Sequence, residues 1–314
     1  MRTIVTGGAG FIGSNLVDAL LDRGDDVAVI DDLSTGKRDN LAPALGRGAR
    51  LFVTDIRDAD ALERVVEQEK PETIFHLAAQ IDVRRSLADP AWDATINVAG
   101  TINVLEMARR HGARRIVNSS TGGAIYGDAE TIPSNEQTPP LPEAAYGQSK
   151  LSAEGYLGLY ERLYGQSSVT LRYGNVYGPR QDPLGEAGVV AIFAGLLETG
   201  GQPTVFGDGR QTRDYVYVGD VVAANLAAAD SDVRGPINIG TGVETDVLEL
   251  IKTLRELSGA RAFEPRFAPA RLGELARSCL DIGRAQQTLG WAPRVEVHEG
   301  LRLTLEASRP AVER

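Results

Sequence analysis

The stretch T3-I-V-T-G-G-A-G-F-I-G constrains the fold of this chain more than any other. Four β-branched residues make a strand, and Gly7, Gly10 and Gly13 then open an apolar helix. Glycines at this spacing permit a tight turn, close approach of the backbone to a ligand, and packing of helix on sheet. The helix N-terminus is thereby turned toward an anion such as a pyrophosphate. About 20 residues further on, Asp31 ends the next strand, where a carboxylate accepts hydrogen bonds from an adenosine ribose diol. A carboxylate there also repels a 2′-phosphate, so the pattern favours NAD over NADP, with Lys37 and Arg38 keeping the second reading open. The neighbouring T35-G-K-R is a turn, because Asp31 and Arg38 stand where a phosphate loop needs a glycine and a hydroxyl.

Short β-branched runs then alternate with segments of helical period. T3-I-V-T, V27-A-V-I-D, L51-F-V, T73-I-F-H, R115-I-V-N and V169-T-L-R read as strands. Phe11 to Arg23, Ala61 to Gln68, Ala91 to His111 and Ala144 to Tyr164 read as helices. This alternation predicts an α/β protein with a Rossmann-type doubly wound parallel sheet. Residues 1–174 are expected to form the NAD-binding domain, with the segment about 211–240 returning to it. Residues 175–314, richer in loops and with helices near Val221 to Ala229 and Val247 to Ser258, are expected to form a smaller substrate-binding domain.

Charge narrows the partners. A formal net charge of −10 argues against nucleic acid, which needs a basic face to displace counterions. Cys279 is the single cysteine and the three histidines, His76, His111 and His298, are scattered, so no metal site is expected. No apolar run reaches the ~20 residues of a membrane span, and the first residues enter a strand with no signal-peptide pattern, so a cytoplasmic location is expected.

In A144-A-Y-G-Q-S-K, Tyr146 and Lys150 lie four apart at the start of a helix and so share a face. An ammonium at ~4 Å in an effective dielectric of 20 supplies about the 4 kcal/mol needed to bring a phenol to neutrality. Such a tyrosine can act as a general base toward a sugar hydroxyl. The run S119-S-T-G-G ends an apolar strand with three hydroxyls and no carboxylate.

With these motifs in order, the chain resembles the extended short-chain dehydrogenase/reductase family. Further matches are D55-I-R, F75-H-L-A-A-Q, N97-V-A-G-T, R172-Y-G-N-V-Y-G-P, R213-D-Y-V-Y-V-G-D, R271-L-G-E and D281-I-G-R-A-Q-Q-T-L-G-W. The resemblance is strongest to the members that invert C4 of UDP-sugars, and it implies interconversion of UDP-glucose and UDP-galactose through a transient 4-keto sugar with tightly bound NAD. UDP-glucuronate and UDP-N-acetylhexosamine are the alternative sugars, with Arg180 placed to meet a C6 carboxylate; a 4-ketosugar reductase and a noncatalytic NAD sensor are the remaining readings.

The resemblance assigns catalysis to Thr121, Tyr146 and Lys150, with Ser120 as the alternative hydroxyl. It assigns the cofactor to Gly7, Gly10, Phe11, Ile12, Gly13, Asp31, Asp32, Thr35, Gly36, Asp55, Ile56, Leu77, Ala78, Ala79, Asn97, Ser119, Tyr146, Lys150 and Tyr173. It assigns the sugar nucleotide to Ser120, Thr121, Asn175, Val189, Phe206, Arg213, Arg271 and Ser278, the last leaving room near C2. Relatives that eliminate water carry an acidic pair after the hydroxyl; Gly122 and Gly123 stand there instead. A homodimer through the helices Ala91 to His111 and Ala144 to Tyr164 is expected.

Overall fold

The structure is a computed structural model, and it describes residues 1–183, 188–270 and 275–308. Six strands, β1 (Arg2–Thr6), β2 (Asp26–Asp31), β3 (Arg50–Val53), β4 (Thr73–His76), β5 (Arg115–Thr121) and β6 (Ser168–Tyr173), are joined by Gly235–Ile239 in one sheet. All are parallel, in the order Gly235–Ile239, β6, β5, β4, β1, β2, β3. The chain leaves β1 toward β2 and β3, then crosses back to β4, so a crevice opens beyond the C-terminal ends of β1 and β4, where such sheets bind ligands.

The strands form because both faces are covered, which selects near-continuous aliphatic runs. Alternation sorts their side chains into two layers. Val5, Phe75, Val117, Val169 and Ile237 pack with Leu16 and Val221, from the helices Phe11–Asp22 and Val218–Ala229. Ile4, Ile74 and Ile116 pack on the opposite face with Leu62, Val104 and Leu157, from Ala59–Glu69, Thr101–His111 and Ala145–Tyr164.

The expected strands all form, but the helix expected over Ala91 to His111 does not run evenly. It is helical over Pro90–Ala94, widens to a π-turn over Thr95–Gly100, and resumes as Thr101–His111. Such a bulge admits an extra residue per turn and is frequent at functional sites; here it carries Asn97 into the interior. Two short helices, Val83–Ala88 and Gly122–Ile125, form where the sequence shows no helical period. Beyond Asn175, three two-stranded pairs support a separate apolar cluster that includes Tyr177, Phe193, Tyr215, Leu250 and Phe263. No helix among the described residues is long and apolar enough to cross a membrane.

Candidate active site

The crevice begins at the glycine turn. Gly7 has φ +69°, a left-handed conformation that favours glycine, and a Cβ on it would lie 2.6 Å from the backbone nitrogen of Ala78. A Cβ on Gly13 would run into the carbonyl oxygen of Gly7. Side chains are therefore excluded where the helix Phe11–Asp22 meets the turn, and Phe11 and Ile12 start that helix from an uncapped Gly10. Asp31 stands at the end of β2, buried, its Oδ2 accepting from Ala9 N at 2.9 Å and its Oδ1 from Leu33 N at 2.9 Å. Burial raises its pKa while those two backbone donors oppose the rise. Two bonds leave lone pairs on the carboxylate for a diol. Gly36 sits against it, since a Cβ there would be 2.7 Å from Asp31 Oδ1. Asp32 caps the next turn through Ser34, Thr35 leads into Gly36, and Asp55 is clasped by Arg57, whose guanidinium holds that carboxyl below its ordinary range. Ile56 fills the core beside Gly100. This cradle fits a dinucleotide.

At the end of β5 the three hydroxyls separate. The Thr121 hydroxyl lies beside the phenol of Tyr146 and favours its ionised form. Ser120 donates instead to Glu154 at 2.6 Å, toward the interior of the Ala145–Tyr164 helix packing. Ser119 donates to the carbonyl of His76 at 3.1 Å, and its own carbonyl accepts from Lys150 Nζ at 3.0 Å. Alternation along the strand turns Ser120 onto the helix, where Glu154 accepts its hydrogen bond.

The electrostatics bear on the expectation that Lys150, with an oxidised nicotinamide ring adding to it, brings the phenol toward neutrality: burial is the largest effect on the phenol. Burial pushes Tyr146 up to about 12, the Thr121 hydroxyl pulls down, and Asp93 pushes up. Lys150 is itself brought down to about 8 by burial, with Asp93 and then Glu154 holding it up. Its ammonium is directed to the Ser119 carbonyl.

A directional hydrogen-bond chain joins the glycine turn to the π-turn. Ala78 N donates to Thr6 Oγ1 at 3.2 Å, and Thr101 Oγ1 donates to the carbonyl of Asn97 at 2.7 Å. Between them Thr6 Oγ1 lies 2.8 Å from His76 Nδ1 and His76 Nε2 lies 2.9 Å from Thr101 Oγ1. Because the Thr101 proton is spent on Asn97, His76 must donate from Nε2 and accept at Nδ1. Burial first, then the Lys150 charge, lowers His76 to about 3, which keeps it neutral. Leu77 N is held by the Thr6 carbonyl at 3.1 Å, so Leu77, Ala78 and Ala79 line the crevice through a fixed backbone.

Two residues expected at the cofactor have their side chains spent elsewhere. Asn97 accepts from Gln80 N at 2.8 Å and donates to the Gln80 carbonyl and to Ser149 Oγ, each at 3.0 Å. Tyr173 is buried in the core with its hydroxyl on Asn225. Both side chains are thus buried and held by interior partners.

On the substrate side, Asn175 lies over Gly123, whose absent Cβ would be 3.4 Å from Asn175 Oδ1. A Cβ on Gly122 would be 2.5 Å from Leu280, so neither glycine position offers a carboxylate. Arg213 donates to the Thr212 carbonyl at 2.8 Å, and Ser278 N donates to the same oxygen at 3.2 Å, placing the two side by side. Val189 opens the helix Val189–Thr199 and Phe206 ends the strand Thr204–Phe206. Arg271 lies outside the described residues. Arg180 is paired through Nη2 with Asp18 at 2.5 Å on the Phe11–Asp22 helix.

Sequence reasoning missed Asp93, Glu154, Arg172 and Tyr126. Glu154 is one further turn along the face of Tyr146 and Lys150, a spacing that pointed to it. Arg172 grips Glu154 with Nη2 at 2.6 Å and donates to Tyr126 at 2.8 Å. Among the described residues no group of histidine, cysteine or acidic side chains could hold a metal ion.

The signature of the NAD dependent epimerase/dehydratase family matches residues 3–240. The chain is 49% identical over 311 residues to a UDP-glucose 4-epimerase of Mycolicibacterium smegmatis, covering 98% of this chain and 99% of that protein. It is similar to the crystal structure of a UDP-glucose 4-epimerase with UDP-glucose from Thermotoga maritima, with TM-score 0.94, 46% identity and 98% of each chain covered. It is similar also to the Thermus thermophilus UDP-glucose 4-epimerase in complex with NAD, with TM-score 0.93, 45% identity, and 99% of this chain and 100% of that one covered.

Proposed function

The chain belongs to the NAD dependent epimerase/dehydratase family, and from that membership and the geometry of the crevice we propose that it interconverts UDP-glucose and UDP-galactose. NAD, when bound, supplies oxidation at the sugar C4 and the later re-reduction on the opposite face. The glycine turn would receive its pyrophosphate, Asp31 its adenosine ribose, and Lys150 the end nearest the reaction. Tyr146 takes the proton from O4 and later returns it, with Thr121 holding the same oxygen in a shared hydrogen-bond network.

The observation that carries this reading is the Thr121 hydroxyl beside the buried Tyr146 phenol, with two glycines where an eliminating enzyme needs an acid. A 4-keto sugar formed here meets no carboxylate at those positions to expel its C6 hydroxyl, so it is reduced again. Asn175 and Arg213 are read as contacts to the nucleotide, Val189 and Phe206 as its flanks, and Ser278 as the residue beside the sugar. The assembly is read as a cytoplasmic homodimer, formed on the two helices that flank the crevice, where Tyr156, Leu163 and Tyr164 are exposed.

Purified protein incubated with UDP-glucose and no added cofactor is expected to yield UDP-galactose of unchanged mass, and the denatured supernatant to contain NAD. Asp31→Ala is expected to lose that NAD during purification. A 4-keto-6-deoxy product, or NADP in place of NAD, would contradict the reading.

A further inference from the structure

One carboxylate beside the tyrosine and lysine takes no part in the chemistry above. Asp93 sits on the turn Pro90–Ala94 and is 1% exposed. Its Oδ1 accepts from Gln80 Nε2 at 2.8 Å and from Asn97 Nδ2 at 3.3 Å. Its Oδ2 is buried without any hydrogen-bond partner. The same Asn97 amide donates to Ser149 Oγ, on the residue that precedes Lys150, so the carboxylate is fastened to the helix that carries the lysine. Lys150 is also buried, and the hydrogen bond of its ammonium goes to the uncharged carbonyl of Ser119. A buried acid with an unused oxygen and a buried base on a neutral acceptor thus share one polar network. Buried charges persist when an opposite charge compensates them.

We propose that Asp93 is the counter-charge of Lys150, a positioning residue that keeps the lysine protonated at the pH where the enzyme works. The proposal rests on the reading of Tyr146 and Lys150 as the reacting pair. Of the charges that oppose the effect of burial on Lys150, Asp93 is the largest and Glu154 the second. Glu154 is already committed, since Arg172 on β6 and Ser120 on β5 both bond it. The other groups around this turn do not compete. His76 on β4 is neutral, Tyr146 is a phenol, Arg85 of the Val83–Ala88 helix is stacked 3.8 Å over Trp92 on the outer side, Arg84 beside it and Asp89 are exposed, and Asp82 caps that helix at Arg85 N.

The test is Asp93→Asn in the NAD-loaded enzyme, a near-isostere whose oxygen can still accept from Gln80 and Asn97. The alkaline limb of the kcat profile, where Lys150 loses its proton, is expected to move down by about one pH unit, with KM for UDP-glucose little changed. Asp93→Glu, which restores the charge, is expected to move the limb back. A readout independent of turnover is the ε-carbon resonance of Lys150, one of four lysines, identified by its absence in Lys150→Met. Its titration is expected to shift down in Asp93→Asn by the same amount as the limb. Asp93→Ser, which removes the charge with a smaller side chain, keeps the test where Asp93→Asn does not fold, and its Lys150 resonance is expected to shift down likewise. An unmoved Lys150 resonance in Asp93→Asn, or in Asp93→Ser where that is the variant that folds, overturns the proposal. Full activity in Tyr146→Phe would instead remove the reading beneath it, and leaves the lysine titration as a separate result.

Discussion

Tyr146→Phe is expected to lower kcat on UDP-glucose by ~10²-fold or more, the usual worth of a positioned general acid–base. The ring stays, so packing at the start of the Ala145–Tyr164 helix is kept, and that start is held independently by Tyr146 N on Ser86 Oγ at 3.0 Å. What disappears is the hydroxyl beside Thr121. Substrate binding uses other groups, so kcat and kcat/KM are expected to fall together, the signature of an interaction made in the transition state. Bound NAD is expected to be unchanged, which separates lost chemistry from a lost site. Kinetics close to the parent enzyme would make this tyrosine scaffold.

Arg172→Met is expected to cost about 3–5 kcal/mol of stability, the range for breaking a buried ion pair from one side. Arg172 and Glu154 have side chains 5% and 9% exposed and meet at 2.6 Å. The guanidinium also holds the Tyr126 hydroxyl, which donates a hydrogen bond to Asn238 Oδ1 at 2.7 Å and so ties β6 to the segment near Ser134 and Asp281. Removing the arginine leaves Glu154 charged and buried, with Ser120 as its remaining donor. In the double variant Arg172→Met with Glu154→Gln the stranded charge is gone, and part of the loss is expected to return. Denaturant unfolding of the three variants reads both effects. A single-variant loss below about 1 kcal/mol would mean that solvent reaches the pair as it does at a surface.

The sheet was legible because burial on both faces demands unbroken aliphatic runs, and β1, β2, β4 and β5 have them. The Ala91 to His111 segment was legible as helix but not as a helix with a π-turn, since the extra residue at Asn97 is held by Gln80 and Ser149, partners distant in sequence. Tyr146 and Lys150 could be found from their spacing of four. The sequence favoured Thr121 over Ser120 by register alone, while the contacts separate them through what each hydroxyl touches: Tyr146 for one, Glu154 for the other. Asn97 and Tyr173 stood in the right motifs, yet the fold spends their side chains on Gln80, Ser149 and Asn225. Asp93 carried no local signal, because an acid among A91-W-D-A reads as a solvated helix position until the packing closes over it.

The proposed reaction predicts that one hydrogen leaves C4 and returns to C4 within a single closed site. UDP-glucose deuterated at C4, incubated with the purified enzyme in ordinary water and without added cofactor, is expected to give UDP-galactose that retains the deuterium at C4, as read by NMR and by mass. Loss of the label to solvent, a requirement for reduced cofactor in proportion to product, or a product lighter by one water would contradict inversion by transient oxidation at C4.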